Sequence, residues 1–204
     1  YTGVLHPYNL EIFRDRLKEN HLSSQAKTFH QATGHFSIEC YKADMEYAFR
    51  TPGFGGFQLL DLQDYPGQGS AYVGILNAFM DSKGLIEPKK WREFCCEVVP
   101  LLTTAKFCWT GQEIFEGNIE VANYGEHSLK GKSVSWELKT GKRSLGKGKM
   151  PAPSGLGLLT AGTIRLTLPN LEKAYKAELS LKIAGTSYRN TYPLWIYPAK
   201  KQLN

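Results

Sequence analysis

Alternation of apolar and polar residues with a period of two runs through the sequence from Phe107 onward. This pattern is typical of strands with one buried side and one solvent-facing side. Turn signals such as Lys139-Thr140-Gly141 and Pro169-Asn170 separate the runs. The apolar members are Ile119 and Val121; Val134, Trp136 and Leu138; Ile164, Leu166 and Leu168; and Leu179, Leu181 and Ile183. The second half of the chain is therefore predicted to be built from strands.

About seven short strands within roughly ninety-five residues predict a two-sheet antiparallel sandwich of immunoglobulin-like size over residues 105–204. We expect Trp136, Leu166 and Leu181 to face its interior. No cysteine pair stands at immunoglobulin spacing, so the expected similarity is one of architecture. The last run, residues 192–198, contains two prolines that cannot donate ladder hydrogen bonds, which predicts an edge strand.

Helical periodicity dominates the beginning of the chain. Leu10, Phe13 and Leu17 recur at spacings of three and four, and Asn9 is a candidate cap. A second helix is expected from Ser23 or Ser24 to about residue 49. The apolar run over residues 57–62 then predicts a strand buried on both faces of a parallel sheet. One such strand cannot close a sheet by itself, so its partners must come from other sequence.

A helix followed by a doubly buried strand is one α/β repeat, so residues 1–104 are predicted to be an α/β remnant. Residues 101–106 are expected to link this part to the sandwich. In such a sheet, chemistry takes place at the carboxyl ends of the strands. Five residues at that place are candidate substrate-binding residues: Asp61, Gln63, Asp64, Tyr65 and Gln68. The alternative is that Asp61 or Asp64 merely caps a turn or pairs with a nearby arginine.

The order of helix, Gly55-Gly56-Phe57, apolar strand and acidic residues resembles the eighth barrel strand of glycoside hydrolase family 2, the β-galactosidase-like group. In a multidomain subgroup the resemblance extends through Pro66-Gly67-Gln68-Gly69, Asp81-Ser82-Lys83-Gly84 and Val99-Pro100-Leu101-Leu102. It covers residues 1 to about 125. The resemblance implies that residues 1–104 are the last strand and helices of a (β/α)₈ barrel, and it implies a carbohydrate substrate. It also favours an extracytoplasmic location, periplasmic or secreted, which the residues themselves leave open.

Two departures from that family bear on activity. The family places Asp beside Trp where Leu60-Asp61-Leu62 stands here. Cleavage of a glycosidic bond also needs two flanking carboxyl groups, and the family's glutamates on earlier strands have no counterpart in this chain. Glu39 and Glu46 are expected on a solvent-exposed helix face. We therefore predict no catalytic residue within these 204 residues.

Charge is distributed unevenly: residues 1–104 carry a net charge of −2 and residues 105–204 a net charge of +8. The densest basic cluster, residues 139–149, has no interleaved aromatic residue, so a solvated hairpin is expected in preference to a nucleic-acid site. The histidine and cysteine spacings match no metal motif, and no cofactor is expected. No apolar run is long enough for a membrane span.

These observations leave two functions open. The first is a fragment of a glycoside hydrolase that acts on β-linked glycosides and itself lacks the catalytic glutamates. The second is a non-catalytic carbohydrate-binding or protein-interaction module. A homo-oligomer formed through the exposed barrel strand at residues 57–62 is also expected, because an unpaired strand edge favours association.

Overall fold

The computed structural model describes residues 5–65, 67, 72–126 and 128–199. The chain divides into two compact units. The first comprises Tyr1–Ala48 and Gly55–Trp91, and the second comprises Phe49–Phe54 and Arg92–Asn204. Residues 98–103, which precede the predicted domain division at residue 105, belong to the second unit.

The described helices lie in the first part of the chain. They are α1 (Tyr8–Glu19), a 3₁₀ turn (Ser23–Gln25), α2 (Ala26–Arg50) and the short α3 (Pro88–Trp91). Helix α1 begins directly after Pro7, and Asn9 lies inside it without capping it. Helix α2 ends at Arg50, two residues before Pro52, because the residue that precedes a proline is disfavoured in the helical region.

The barrel-remnant prediction is wrong. Residues 57–62 form no strand, and Leu60 is 82% exposed where the prediction required burial on both faces. Within the described residues of the first unit, the strand-like pairing consists of two isolated bridges, Gln63 with Leu76 and Leu76 with Ser82. A strand buried on both faces needs hydrogen-bonded neighbours and apolar cover, and the described part of the first unit supplies neither to residues 57–62. The fold is all-β with a few helices.

Among the residues that the structure describes, eight strands form two sheets, and all eight lie in the second unit. They are β1 (Val98–Thr103), β2 (Cys108–Thr110), β3 (Ile114–Asn123), β4 (Ser133–Thr140), β5 (Arg143–Pro151), β6 (Gly157–Thr167), β7 (Tyr175–Ile183) and β8 (Arg189–Tyr197). The sheet orders are β1-β3-β6 and β2-β8-β7-β4-β5. The pairing is antiparallel except between β2 and β8. This architecture is compatible with the predicted immunoglobulin-like sandwich.

The sandwich core forms where the period-two alternation predicts it. Leu138 and Leu181 are fully buried, and Trp136 and Leu166 are partly buried against the same cluster. The ring of Trp136 lies over the β5 backbone, so a Cβ on Gly148 would stand 2.8 Å from its Nε1 atom. The predicted inward register of these strands is confirmed.

A buried polar network closes the outer edge of β1. Asn190 donates hydrogen bonds from Nδ2 to the carbonyl of Pro100 at 3.0 Å and to the hydroxyl of Tyr192 at 2.8 Å. That hydroxyl accepts a bond from the amide of Leu102 at 3.1 Å, and Arg50 donates to the Leu102 carbonyl at 2.7 Å. Proline fits this edge because its missing N–H leaves no unsatisfied donor.

Two further expectations need correction. Residues 101–103 were expected in a linker, but they are the end of β1. Strand β8 was expected at a sheet edge, but it lies between β2 and β7. Strand β2 pairs only with Trp195–Tyr197, so Pro193 lies beyond the end of β2 and need not donate to it.

Candidate functional site

The candidate site is a loop of the first unit, residues 61–83, which contains four of the five predicted substrate-binding residues in described positions. An ion pair holds the loop together. The Nζ atom of Lys83 lies 2.7 Å from Oδ1 of Asp64, and both side chains are only 16% exposed. Lys83 also donates to the carbonyls of Gly74 at 2.8 Å and Tyr72 at 3.3 Å. The ammonium group of Lys83 thus connects the two limbs of the loop, which are residues 61–65 and residues 72–83.

Backbone contacts bring the two limbs of the 61–83 loop close together. The amide of Asp64 donates to the carbonyl of Leu76 at 3.0 Å, and the amide of Leu76 donates to the carbonyl of Leu62 at 3.1 Å. A Cβ on Gly74 would lie 2.3 Å from the carbonyl carbon of Gln63. No side chain other than hydrogen fits there, so glycine is required at this close approach.

A second turn projects apolar side chains from the loop. Asn77 accepts hydrogen bonds at its Oδ1 atom from the amides of Phe79 and Asp81, each at 2.9 Å. Met80 adopts a φ of +69°, which is uncommon for a residue with a side chain. Phe79 and Met80 are both more than half exposed. The turn is therefore well bonded while its apolar residues face solvent.

Tyr41 of α2 supports the loop from inside the first unit. Its hydroxyl donates to the carbonyl of Val73 at 3.3 Å, and its ring lies edge-on to Trp91 with centroids 5.9 Å apart. Burial, and then the negative charge of Asp61, raise the pKa of the Tyr41 phenol. Asp61 therefore lies close enough to Tyr41 to act on it electrostatically, and it holds a φ of +65°.

The predicted site residues have different surroundings. Asp64 is engaged by Lys83 and by the amide of Gly74, so its carboxylate helps to build the loop. Tyr65 is 56% exposed, Gln63 is exposed, and Asp61 is half-buried. Gln68 lies outside the described residues. A substrate-binding role for these five residues stays a prediction.

The two glutamates of α2 behave differently from each other. Glu39 is exposed, as expected. Glu46 is buried, contrary to expectation, and it accepts a hydrogen bond from Lys42 one helical turn earlier. The spacing of four residues between a lysine and a glutamate was a signal for this pair.

Sequence reasoning missed the residues that hold the loop in place, above all Lys83 and Tyr41. Lys83 stands in the Asp81-Ser82-Lys83-Gly84 turn, where only its position beside a polar loop hinted at a partner. Across residues 5–65, 67, 72–126 and 128–199, the His, Cys, Asp and Glu side chains form no group of three that could hold a metal ion. None of the helices in the described part of the chain is both long and apolar enough to span a membrane.

Residues 113–198 match the model of a family described as a domain of unknown function (DUF8488). No curated protein matches the chain. The β-glucuronidase of Parabacteroides merdae is similar with a TM-score of 0.32 and 12% identity, over 49% of this chain and 14% of that chain. Its structure with glycerol in the active site gives the same values. AvmM, which catalyses macrocyclization in alchivemycin A biosynthesis, is similar with a TM-score of 0.28 and 10% identity, over 53% of this chain and 93% of that chain.

These structural similarities are weak, and the match spans only 14% of the β-glucuronidase chain. They amount to a loose resemblance to a glycoside hydrolase. With TM-scores below 0.5, they carry no argument about substrate or mechanism.

Proposed function

We propose that the chain is a fragment of a β-galactosidase-like glycoside hydrolase that acts on β-linked glycosides. In this proposal the 61–83 loop contributes one wall of the substrate site, and the chain brings no catalytic carboxyl group. The observation that carries the proposal is the ion pair between Asp64 and Lys83, which orders a loop whose sequence resembles that enzyme group. A binding wall works best when its residues are held in position before the ligand arrives.

Exposed groups of the loop suit a sugar. The ring of Tyr65 offers an apolar face to the C–H groups of a pyranose, and the amide of Gln63 offers a donor and an acceptor to its hydroxyls. Specific sugar binding needs such a combination of an apolar surface and a few placed polar groups.

Two carboxylates of the first unit are poorly suited to bond cleavage. Asp64 is occupied by Lys83 and Gly74, and Glu46 is occupied by Lys42. Glycoside hydrolysis needs one carboxyl group that protonates the leaving oxygen and a second that acts as nucleophile or base. The proposal therefore assigns binding to this chain and cleavage to residues outside it.

Two measurements test the proposal on the purified chain. Nitrophenyl β-galactoside and β-glucuronide are expected to show no turnover, because general acid–base and nucleophilic groups supply much of the rate of such enzymes. Titration with β-1,4-galactotetraose, followed by NMR, is expected to shift resonances of the 61–83 loop. Turnover that a point change within the chain abolishes would contradict the assignment of cleavage elsewhere.

A matched pair of variants locates the binding. Tyr65→Ala is expected to weaken tetraose binding, whereas Tyr8→Ala, which removes a similarly exposed tyrosine from α1, should leave it unchanged. If the chain binds no β-linked oligosaccharide while the loop retains its structure, the alternative of a protein-interaction module is preferred. The exposed Phe79 and Met80 are the observation that favours that alternative.

A further inference from the structure

The outer face of the five-stranded sheet is strongly basic. Its outward positions alternate with the buried core positions of the same strands. Six basic side chains lie on it: Lys139, Lys147, Lys149, Lys176, Lys182 and Arg189. Three acidic side chains oppose them, namely Glu137 and Glu178 on the same strands and Glu93, which pairs with Arg189 at 3.1 Å. The face is therefore more positive than a mixed surface that serves only for solubility.

Four of these lysines form a diagonal row, which we name the lysine row: Lys176, Lys139, Lys147 and Lys149. Lys139 is opposite Glu178, so Lys176 is its diagonal neighbour on β7. Lys147 is opposite Glu137, so Lys139 is its diagonal neighbour on β4. Diagonal neighbours in a sheet are about 7–8 Å apart. Lys149 follows Lys147 on the same face of β5, at about 7 Å.

An exposed aromatic residue lies at one end of the lysine row. Trp195 is directly opposite Lys176, whose Nζ atom is 5.7 Å from the ring centroid. Trp195 is 37% exposed and Tyr197, two residues along the same face, is 46% exposed. The alternate residues Leu194 and Ile196 are fully buried, so both aromatic rings belong to the outer face.

Protection of a sheet edge does not account for the whole row. Lysines on an edge strand discourage pairing with other chains, which would suffice for Lys147 and Lys149 on β5. Lys139 and Lys176 lie on β4 and β7, which are internal strands of the sheet. Those two strands have no open edge, so edge protection does not explain the presence of Lys139 and Lys176.

The positive charges of the lysine row affect the neighbouring carboxyl group of Glu137. Glu137 lies 2.8 Å from Lys139. Hydrogen bonds from Lys139 and then Ser144, together with the charges of Lys139 and Lys147, lower the pKa of the Glu137 carboxyl. Negative charge is thus favoured at this surface. Hydroxyl groups flank the row as well, from Ser144 and Ser180.

We propose that the lysine row and Trp195 bind an anionic polysaccharide, with the lysines on its carboxylate or sulfate groups and Trp195 against one sugar ring. The flanking serines suit sugar hydroxyls. A single-stranded nucleic acid is disfavoured because it needs aromatic platforms for successive bases, and aromatic residues lie at only one end of the row. This surface belongs to the second unit, whereas the 61–83 loop belongs to the first.

Binding of the whole chain to oligogalacturonate, measured by calorimetry at low salt, tests the proposal. We expect binding to oligogalacturonate and none to uncharged dextran of the same length. The double variant Lys147→Gln/Lys149→Gln should weaken binding by about fivefold, which corresponds to the loss of two exposed charge contacts. Trp195→Ala should also weaken it, while Tyr65→Ala should leave it unchanged and thus separate this surface from the 61–83 loop.

The matched control is Lys18→Gln/Lys27→Gln, which removes the same charge from exposed helix positions. Equal weakening by this control would overturn the proposal, since binding would then depend on net charge alone. Oligodeoxythymidine that binds as tightly as oligogalacturonate would overturn it in favour of nucleic acid. Absence of binding to oligogalacturonate by a folded chain would overturn it outright.

Discussion

Lys83 and Asp64, nineteen residues apart in sequence, are joined by a hydrogen bond of 2.7 Å that ties the two limbs of the 61–83 loop. Lys83→Met keeps the length of the side chain and removes its charge, which leaves the Asp64 carboxylate without its cation. We expect a loss of about 2 kcal/mol from the stability of the loop, as for other hydrogen bonds to charged groups. Faster hydrogen exchange at the amides of Gly74 and Leu76 would report it.

The control for this change is Lys89→Met, which removes an exposed lysine from α3 in the same unit. Exposed substitutions of this kind usually alter stability by less than about 0.5 kcal/mol. Unchanged exchange at Gly74 and Leu76 in the Lys83→Met variant would show that the backbone bonds alone maintain the loop.

Phe115 is fully buried between the two sheets, and its ring lies edge-on to Trp109 with centroids 5.4 Å apart. Phe115→Ala should lower the unfolding free energy of the second unit by about 3–5 kcal/mol, because it leaves a cavity in a packed core. Urea unfolding followed by circular dichroism measures the loss. Leu156→Ala, at a position that is 74% exposed, should be nearly neutral.

Gly148 lies beneath the Trp136 ring, and a Cβ there would stand 2.8 Å from Nε1. Gly148→Ala should therefore displace the indole and cost about 1–3 kcal/mol, in the range of other overpacked sites. The indole N–H resonance of Trp136 should shift at the same time. Ser144→Ala, on the exposed face of the same strand, serves as the control; an unmoved resonance in the Gly148→Ala variant would contradict the expected displacement.

Tyr188 donates a hydrogen bond of 2.6 Å to Glu97. That bond, followed by burial, raises the pKa of Tyr188 from 10.0 to about 12. A raised folded-state pKa gives stability that is complete below pH 10 and is lost as the pH rises towards 12. The stability difference between the chain and its Tyr188→Phe variant should therefore be smaller at pH 11 than at pH 8. A difference that stays constant over this interval would rule out the coupling.

Self-association through the exposed apolar residues of the first unit stays a prediction, although residues 57–62 offer no strand edge. Phe57 and Leu60 are both exposed, and burial of such apolar side chains against a second copy would favour association. Light scattering should report a dimer or larger species that Leu60→Lys weakens and Leu156→Lys does not. A monomer at high concentration would exclude this contact.

The strands of the sandwich could be predicted because their signal is local. Val134 and Leu138 alternate with polar residues along β4, and the period alone places them inside. The sheet order and the parallel pairing of β2 with β8 could not be read this way, because they join residues far apart in sequence. Strand β8 was misplaced at the sheet edge for the same reason.

The apolar run at residues 57–62 shows where local reasoning fails. A short apolar segment bounded by glycines fits a buried strand only if other strands pair with it, and those partners are not encoded in the segment itself. In the candidate site, Asp61 was found from its position near the end of that run, and Asp64 from its position just after it. Asp61 acts on Tyr41 from twenty residues away, and Lys83 binds Asp64 from nineteen residues away. Such distant contacts could not be predicted from the spacing of residues in the sequence.

The bonds from Asn190 and Tyr192 to Pro100 and Leu102 span ninety residues. During synthesis β1 therefore leaves the ribosome long before the side chains that close its outer edge. Until residue 192 has emerged, the amide of Leu102 lacks its partner, and that edge can pair with other chains. A nascent chain that stalls before Asn190 should depend on chaperones far more than one that stalls after Tyr197.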